Sequence, residues 1–246
     1  MAPMSESEIR LAEIRRAEAV SHTEAYTNHQ LYSSGSWLAK PVKTVLELLP
    51  LYDGYTQFRG LDLGCGVGRN SIALAQAFAD VPCRIDCVDI LDLAIEKLWE
   101  NARKFRVSGA VRGIVSSIDD YVIPENSYDL ILAVSALEHT DSKERFIQKL
   151  TEIRDGLRSN GIVCLIVNSG VSETDKATKA QLPAQFEVNF QTSELKSLLA
   201  DTFRDWEIIK YSETHQKYDI PRESGVAELE TDVVTYVARK KEQYNG

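Results

Sequence analysis

Apolar and polar positions change rhythm repeatedly along the chain, and each change predicts a new element. Residues 6–19 are charged with a helical period that sets Ile9, Leu11, Ile14 and Ala17 loosely on one side. Residues 21–36 read as a polar and aromatic stretch holding Tyr26, Tyr32 and Gly35. Pro41 opens an apolar helix over 42–49, which Pro50 closes. From there strand and helix alternate. A strand ends at 60–64, a helix follows over 70–78, and a second strand over 84–89. An amphipathic helix over 92–105 carries Ile95, Leu98 and Ala102. Strands over 110–115 and 128–134, a helix over 143–157 and a strand over 161–167 complete the run. Continuous apolar strands between helices predict a parallel sheet covered on both faces. Beyond Asn168, residues 169–181 read as loop and Thr192 caps a helix to about 200. Two apolar runs, 206–211 and 233–238, flank a polar segment over 212–230. Two successive strands without a helix between them predict an antiparallel pair at the sheet edge. The division expected is an N-terminal helical cap or extension over 1–50 and one α/β domain over 51–246.

Composition narrows the function. With 246 residues the chain is long enough to bury a core without disulfides or metals. Lys and Arg number 28 against 37 Asp and Glu, a net charge of −9, so the basic footprint of a nucleic-acid binder is missing. The longest apolar runs, such as 162–167, fall far short of the roughly 20 residues a membrane span needs. The N-terminus mixes both charges with no signal-like apolar stretch, which leads to the expectation of a cytoplasmic protein without membrane partners. Cys65, Cys83, Cys87 and Cys164 form no CxxC pair and read as reduced core cysteines, with no metal site expected.

The chemistry concentrates in Gly60-Leu-Asp-Leu-Gly-Cys-Gly-Val-Gly-Arg-Asn-Ser71, a strand running through a glycine turn into a helix. Glycine permits positive φ and close approach of a ligand, and the helix start adds exposed N–H groups. The spacing is GxGxG, with Arg69 where a dinucleotide fingerprint wants its third glycine. Asp62 beside the turn suits a ligand carrying an ammonium group. About 20 residues on, Asp89 at the end of the second strand is placed to accept both hydroxyls of a ribose. Glu138-His139 reads either as a general-base pair or, by preference, as the polar start of a helix. Tyr26, Tyr32 and Trp37 read equally as a lid or as packing for the N-terminal helix.

LDLGCGVGRN followed by VDI resembles the class I S-adenosylmethionine (SAM)-dependent methyltransferases, over about 59–167 and the terminal strand pair. The resemblance implies a Rossmann-like α/β fold: a seven-stranded, mostly parallel sheet, antiparallel at its last strand, with helices on both faces. It implies SAM as cofactor and S-adenosylhomocysteine as product. It assigns the methionine part of SAM to the turn holding Asp62, Gly64, Cys65, Gly66, Gly68 and Asn70. Asp89 then meets the ribose, Ile90 the adenine, Ser117 and Ile118 line the adenine site, and Ala133 starts the segment beside the transferable methyl. Ser117 stands where the family has an acid.

Towards the C-terminus the order Phe186, Trp206, His215 and Arg222 is similar to the tellurite-resistance methyltransferases, whose His-Arg pair faces an oxyanion. That resemblance implies catalytic roles for His215 and Arg222, although Gln216 stands where the family's Arg would be. The expected partner is a small-molecule methyl acceptor, bound by a monomer or homodimer. A tellurite or selenite oxyanion is one candidate. A small organic acid, amine or thiol is another, and a non-catalytic SAM-binding protein is the alternative class.

Overall fold

The strands that the apolar runs predict assemble into one sheet in the computed structural model, which describes residues 5–222 and 225–242. Strands β1 (Phe58–Leu63), β2 (Cys83–Asp89), β3 (Val111–Val115), β4 (Tyr128–Val134), β5 (Leu157–Asp175), β6 (Gln181–Leu182), β7 (Glu207–Arg222) and β8 (Gly225–Arg239) take the order β3-β2-β1-β4-β5-β8-β7, with β6 paired to β5 alone. The run β3-β2-β1-β4-β5 is parallel throughout, β6 is antiparallel to β5, and β8 is antiparallel to both β5 and β7. The sheet therefore has one strand more than the seven expected, the extra one being the two-residue β6.

Helices α2 (Lys43–Leu48), α3 (Ser71–Ala77), α4 (Asp92–Lys104), α5 (Lys143–Gly156) and α6 (Thr192–Thr202) cover the sheet. Side chains alternate along each strand, so β1 sends Phe58 into one core with Leu74 and Leu98, and Leu61 and Leu63 into another with Phe146, Leu150 and Leu199. Both faces being filled is what makes 130–134 of β4 read as an unbroken apolar run. The chain winds from β1 outward to β3 and then returns to β4 on the other side of β1. At such a reversal the loops leaving adjacent strands part in opposite directions, opening a crevice at the carboxyl ends of β1 and β4.

Two expectations are corrected. Helix α1 runs from Glu6 to Asn28, well into the stretch read as non-helical. No proline or glycine interrupts it, and it faces a cavity rather than a core, so it carries no apolar stripe to betray it. The polar stretches 169–175, 212–222 and 225–232 are strands, not loop. They form a three-stranded ladder that extends β5, β8 and β7, with Lys217 opposite Glu230 and Glu230 opposite Ser172. Much of this ladder is exposed, so polar residues occupy it, and cross-strand pairs such as Lys217 with Glu228 and Glu230 replace apolar packing. Among the described residues no helix is long and apolar enough to cross a membrane.

Candidate functional site at the sheet crevice

The turn after β1 has Gly64 at φ +68° and Gly66 at φ +53°, a region that costs any residue with a Cβ. Space is equally short: a Cβ on Gly64 would lie 2.6 Å from that of Ala136, and one on Gly66 2.7 Å from the Tyr26 hydroxyl. Gly68 abuts Leu98 of α4, so its role is packing. Asp89 braces the turn. Its Oδ2 accepts from the Gly66 N–H at 2.8 Å and its Oδ1 from the Leu91 N–H at 3.0 Å. Burial raises its pKa, while these two backbone donors oppose the rise.

Two cavities adjoin here. One, of about 340 Å³, is lined by Asp89, Ile90, Leu91, Ser117, Ile118 and Ala136 among others. The other, of about 610 Å³, is lined by Gly64, Cys65, Gly66, Arg69 and Asn70 of the turn and by Glu138, Asn168, Phe186, Tyr218, Ile220 and Arg222. Both share Glu18, His22 and Tyr26 of α1 as a roof, with Gly64, Ser135 and His139 at the junction.

Eight of the residues expected for the cofactor therefore border this space: Gly64, Cys65, Gly66, Asn70, Asp89, Ile90, Ser117 and Ile118. Three do not. Asp62 is buried behind the turn, where it accepts from the Ser71 hydroxyl at 2.5 Å, and burial lifts its carboxyl to about 6. Gly68 faces α4, and Ala133 is fully enclosed in β4, the lining passing to Val134, Ser135 and Ala136.

The two residues expected to be catalytic part company. Positions 215 and 222 are an odd number apart on one strand, so their side chains leave opposite faces. Arg222 lines the larger cavity and is held by the buried Glu173 through two hydrogen bonds, at 2.7 and 2.9 Å. His215 borders neither cavity. It is 62% exposed and pairs with Asp232 at 2.9 Å.

Tyr26 and His139 of this roof stand out in the sequence, but their meeting with Glu18 and Glu187 does not. His139 sits between two carboxylates, Nδ1 2.9 Å from Glu187 and Nε2 3.0 Å from Glu18. Burial disfavours the charged ring, but the hydrogen bonds to Glu18 and Glu187 outweigh it and hold the imidazole pKa well above its usual value. Glu18 is likewise buried, yet its hydrogen bonds to His139 and His22 bring it down to about 2. The three side chains place their ligating atoms within 4.8 Å of one another, although no metal site was expected from the sequence. Each imidazole nitrogen already faces its own carboxylate, the arrangement of a doubly hydrogen-bonded imidazolium. Because Glu18, His139 and Glu187 lie far apart in sequence, no local spacing announced them. Tyr26 takes part in both roles weighed for it, as it is buried and lines both cavities. Tyr32 donates to the Arg69 carbonyl at 2.7 Å, and the Arg69 guanidinium lies 5.0 Å from the Trp37 ring centre.

Residues 61–161 match the family model described as "Methyltransferase domain". Ajmaline N-methyltransferase of Rauvolfia serpentina is 24% identical over 131 residues, 49% of this chain and 40% of that protein. The crystal structure of TehB from Haemophilus influenzae superposes with a TM-score of 0.59 at 21% identity, covering 81% of this chain and 62% of that one. The [4+2]-cyclase SpnF superposes at 0.58 with 14% identity, covering 95% and 96%. The chain thus spans 40% of its curated relative and 62% of TehB. Residues 61–161 are thus a methyltransferase domain by sequence, and the sheet order and superpositions give the chain the fold of the class I, SAM-dependent methyltransferases.

Proposed function

We propose that the protein transfers a methyl group from SAM to a small organic molecule. The observation that carries this reading is the adjoining of two cavities at Gly64, one beside Asp89 and Ile90, the other reaching Asn168, Tyr218 and Arg222 on the β5–β8–β7 ladder. The residues present suit the cofactor. Ile90 is 53% exposed beside the smaller cavity, an apolar face free for an adenine ring. Each Asp89 oxygen keeps a lone pair for a ribose hydroxyl after its backbone bond. The tight turn at Gly64 and Gly66, with Arg69 and Asn70 beyond, borders the methionine end, where the Arg69 guanidinium can pair with a carboxylate.

Bound SAM supplies a methyl carbon already activated by its sulfonium charge. The chain's task is to hold the acceptor in line with that carbon and exclude water, effects worth several kcal/mol. Residues 1–50 act in this reading as a cap, with α1 closing over both cavities. The two side chains offered for an oxyanion do not form a clamp, since Arg222 is neutralised by Glu173 and His215 lies on the opposite face of β7. An organic acceptor is accordingly the better reading, and the name of the Rauvolfia relative puts nitrogen among the atoms to test.

SpnF shares this fold under the name of a cyclase, so methyl transfer must be read directly. Calorimetry with SAM comes first: Asp89→Ala is expected to weaken binding by about 1–3 kcal/mol, the size of lost hydrogen bonds to a charged group. Transfer of labelled methyl from SAM to amines, thiols, organic acids and selenite follows. Unchanged SAM affinity in the variant would remove the ribose role of Asp89. Binding without transfer to any acceptor would leave a SAM-binding protein.

A further inference from the structure

Resting on the methyltransferase reading, we propose that Glu138 receives the N–H of the methyl acceptor, so that the acceptor is a small primary or secondary amine. Glu138 lies in the short 3-10 turn Leu137–His139 directly after β4, and it borders the larger cavity. It is 1% exposed. Its Oε1 accepts from the Asn168 side chain at 2.6 Å and from the Asn168 backbone N–H at 3.2 Å. Its Oε2 is buried and has no partner.

A buried carboxylate oxygen without a donor is costly, and proteins rarely keep one that serves nothing. The other carboxylates of the region face a cation. Glu173 holds Arg222, Glu18 holds His139, and Glu187 Oε1, also buried without a hydrogen bond, has the Arg15 guanidinium at 3.7 Å, whereas no cation is paired with Glu138 among the described residues. The carboxylate of Glu138 is also fixed in place. Asn168 clamps one oxygen and itself accepts from the Thr231 hydroxyl at 3.3 Å, while the Glu138 carbonyl accepts from the Val188 N–H at 3.0 Å. The carboxylate of a residue that lines the cavity is therefore held in one position.

The chemistry of Oε2 selects the acceptor. An oxyanion or carboxylate placed against it meets like charge. A thiolate or oxyanion arrives without a proton and has no use for an acceptor oxygen. An amine both donates an N–H and becomes positive during transfer, and a fixed carboxylate favours both changes. In the step, the nitrogen lone pair forms the new N–C bond while the S–C bond breaks with its electron pair left on sulfur. The N–H proton passes to Glu138 Oε2 and from there to water. Burial raises the Glu138 carboxyl above its ordinary range, opposed by the neighbouring His139 charge and by the bonds from Asn168, which brings its basicity nearer to neutral pH. Tyr218 and Arg222 of β7 line the same cavity, and Phe186, Ile220 and Leu229 supply an apolar wall for the amine's carbon part.

The test uses the full chain loaded with S-adenosylhomocysteine, with benzylamine, N-methylbenzylamine and tyramine as probes and benzyl alcohol, benzoate and selenite as controls. Calorimetry is expected to find that the wild type binds amine probes in preference to every control. Glu138→Gln should lose at least tenfold in amine affinity while holding SAM as tightly as the wild type. It should melt no lower than the wild type, because it replaces an unpartnered buried carboxylate with a neutral amide. With labelled SAM, transfer to a bound amine is expected to fall about 10²-fold or more in the variant, and the acidic limb of its pH profile to disappear. Equal amine affinity in Glu138→Gln, or a preference of the wild type for benzoate or selenite, overturns the proposal, as does failure of every amine probe to bind. Failure to bind SAM at all would instead sink the reading on which the proposal rests.

Discussion

At the scale of single residues, the site is built from positions where backbone geometry leaves no choice. Gly64 combines positive φ with a wall 2.6 Å from where its Cβ would stand. Gly64→Ala should therefore lower stability by about 1–3 kcal/mol, from left-handed strain together with displacement of Ala136. Chemical denaturation measures this, and a loss under about 0.5 kcal/mol, the size of an ordinary surface change, would show that the turn relaxes. The position of Asp89 at the cavity was legible because the end of the second strand borders the crevice of such a sheet. Asp62 was legible as a residue but not in its orientation. It caps α3 through Ser71 and stays inside, which only the path of β1 into the turn decides. His215 and Arg222 show the same limit. Their residue types suggested one oxyanion clamp, and the alternation of a strand sends them apart. Arg222→Ala should cost about 3–5 kcal/mol by leaving the buried Glu173 without its partner. His215→Ala, on an exposed pair, should cost under about 1 kcal/mol and leave SAM affinity unchanged. Thermal and chemical melts of the two variants side by side test the contrast, and equal losses would refute it.

At the scale of elements, α1 is held over the cavities by polar contacts rather than by an apolar stripe. Arg10 donates to the carbonyls of Ala184 and Phe186 at 3.1 and 3.0 Å, Arg15 pairs with Asp141, and Glu18 pairs with His139. This strap depends on pH with a definite sign. The His139 pKa in the folded chain lies above its ordinary 6.5, so its contribution is complete below 6.5 and is lost as pH rises through the folded value. The Glu18 pKa falls from 4.5 to about 2, so its contribution is present above 4.5 and fades as pH drops toward 2. The strap is thus fully made between 4.5 and 6.5 and weakens in alkali. Hydrogen exchange of the α1 amides, corrected for intrinsic rate, should show more frequent opening at about pH 10 than at about pH 6, and His139→Gln should abolish the difference. Equal protection at both values would mean that other contacts hold the helix. The same lack of an apolar period explains why α1 was read as ending near residue 19 when it continues to Asn28.

At the scale of the whole molecule, the alternation of apolar strands with helices determined the α/β class, the parallel core and the antiparallel edge. Burial on both faces of a strand and on one face of a helix writes itself into the spacing of apolar residues. The GxGxG turn and Asp89 carried the resemblance that implies SAM, since contacts made within one βαβ unit appear as fixed local spacings. The far side of the larger cavity had no such record. It is assembled from α1, the turn after β4 and the polar extensions of β5, β8 and β7, and its residues meet across separations of tens to more than a hundred positions. Polar strands exposed to solvent carry little hydrophobic pattern, and a pair such as His139 with Glu187 leaves no local trace. The amino-acid sequence by itself determined the frame and the glycine turn at the crevice. Only the tertiary structure decided which carboxylates are paired with cations, which face of β7 meets the cavity, and that Glu138 keeps a buried oxygen without a hydrogen bond, because those outcomes depend on long-range packing and strand parity rather than on neighbours along the chain.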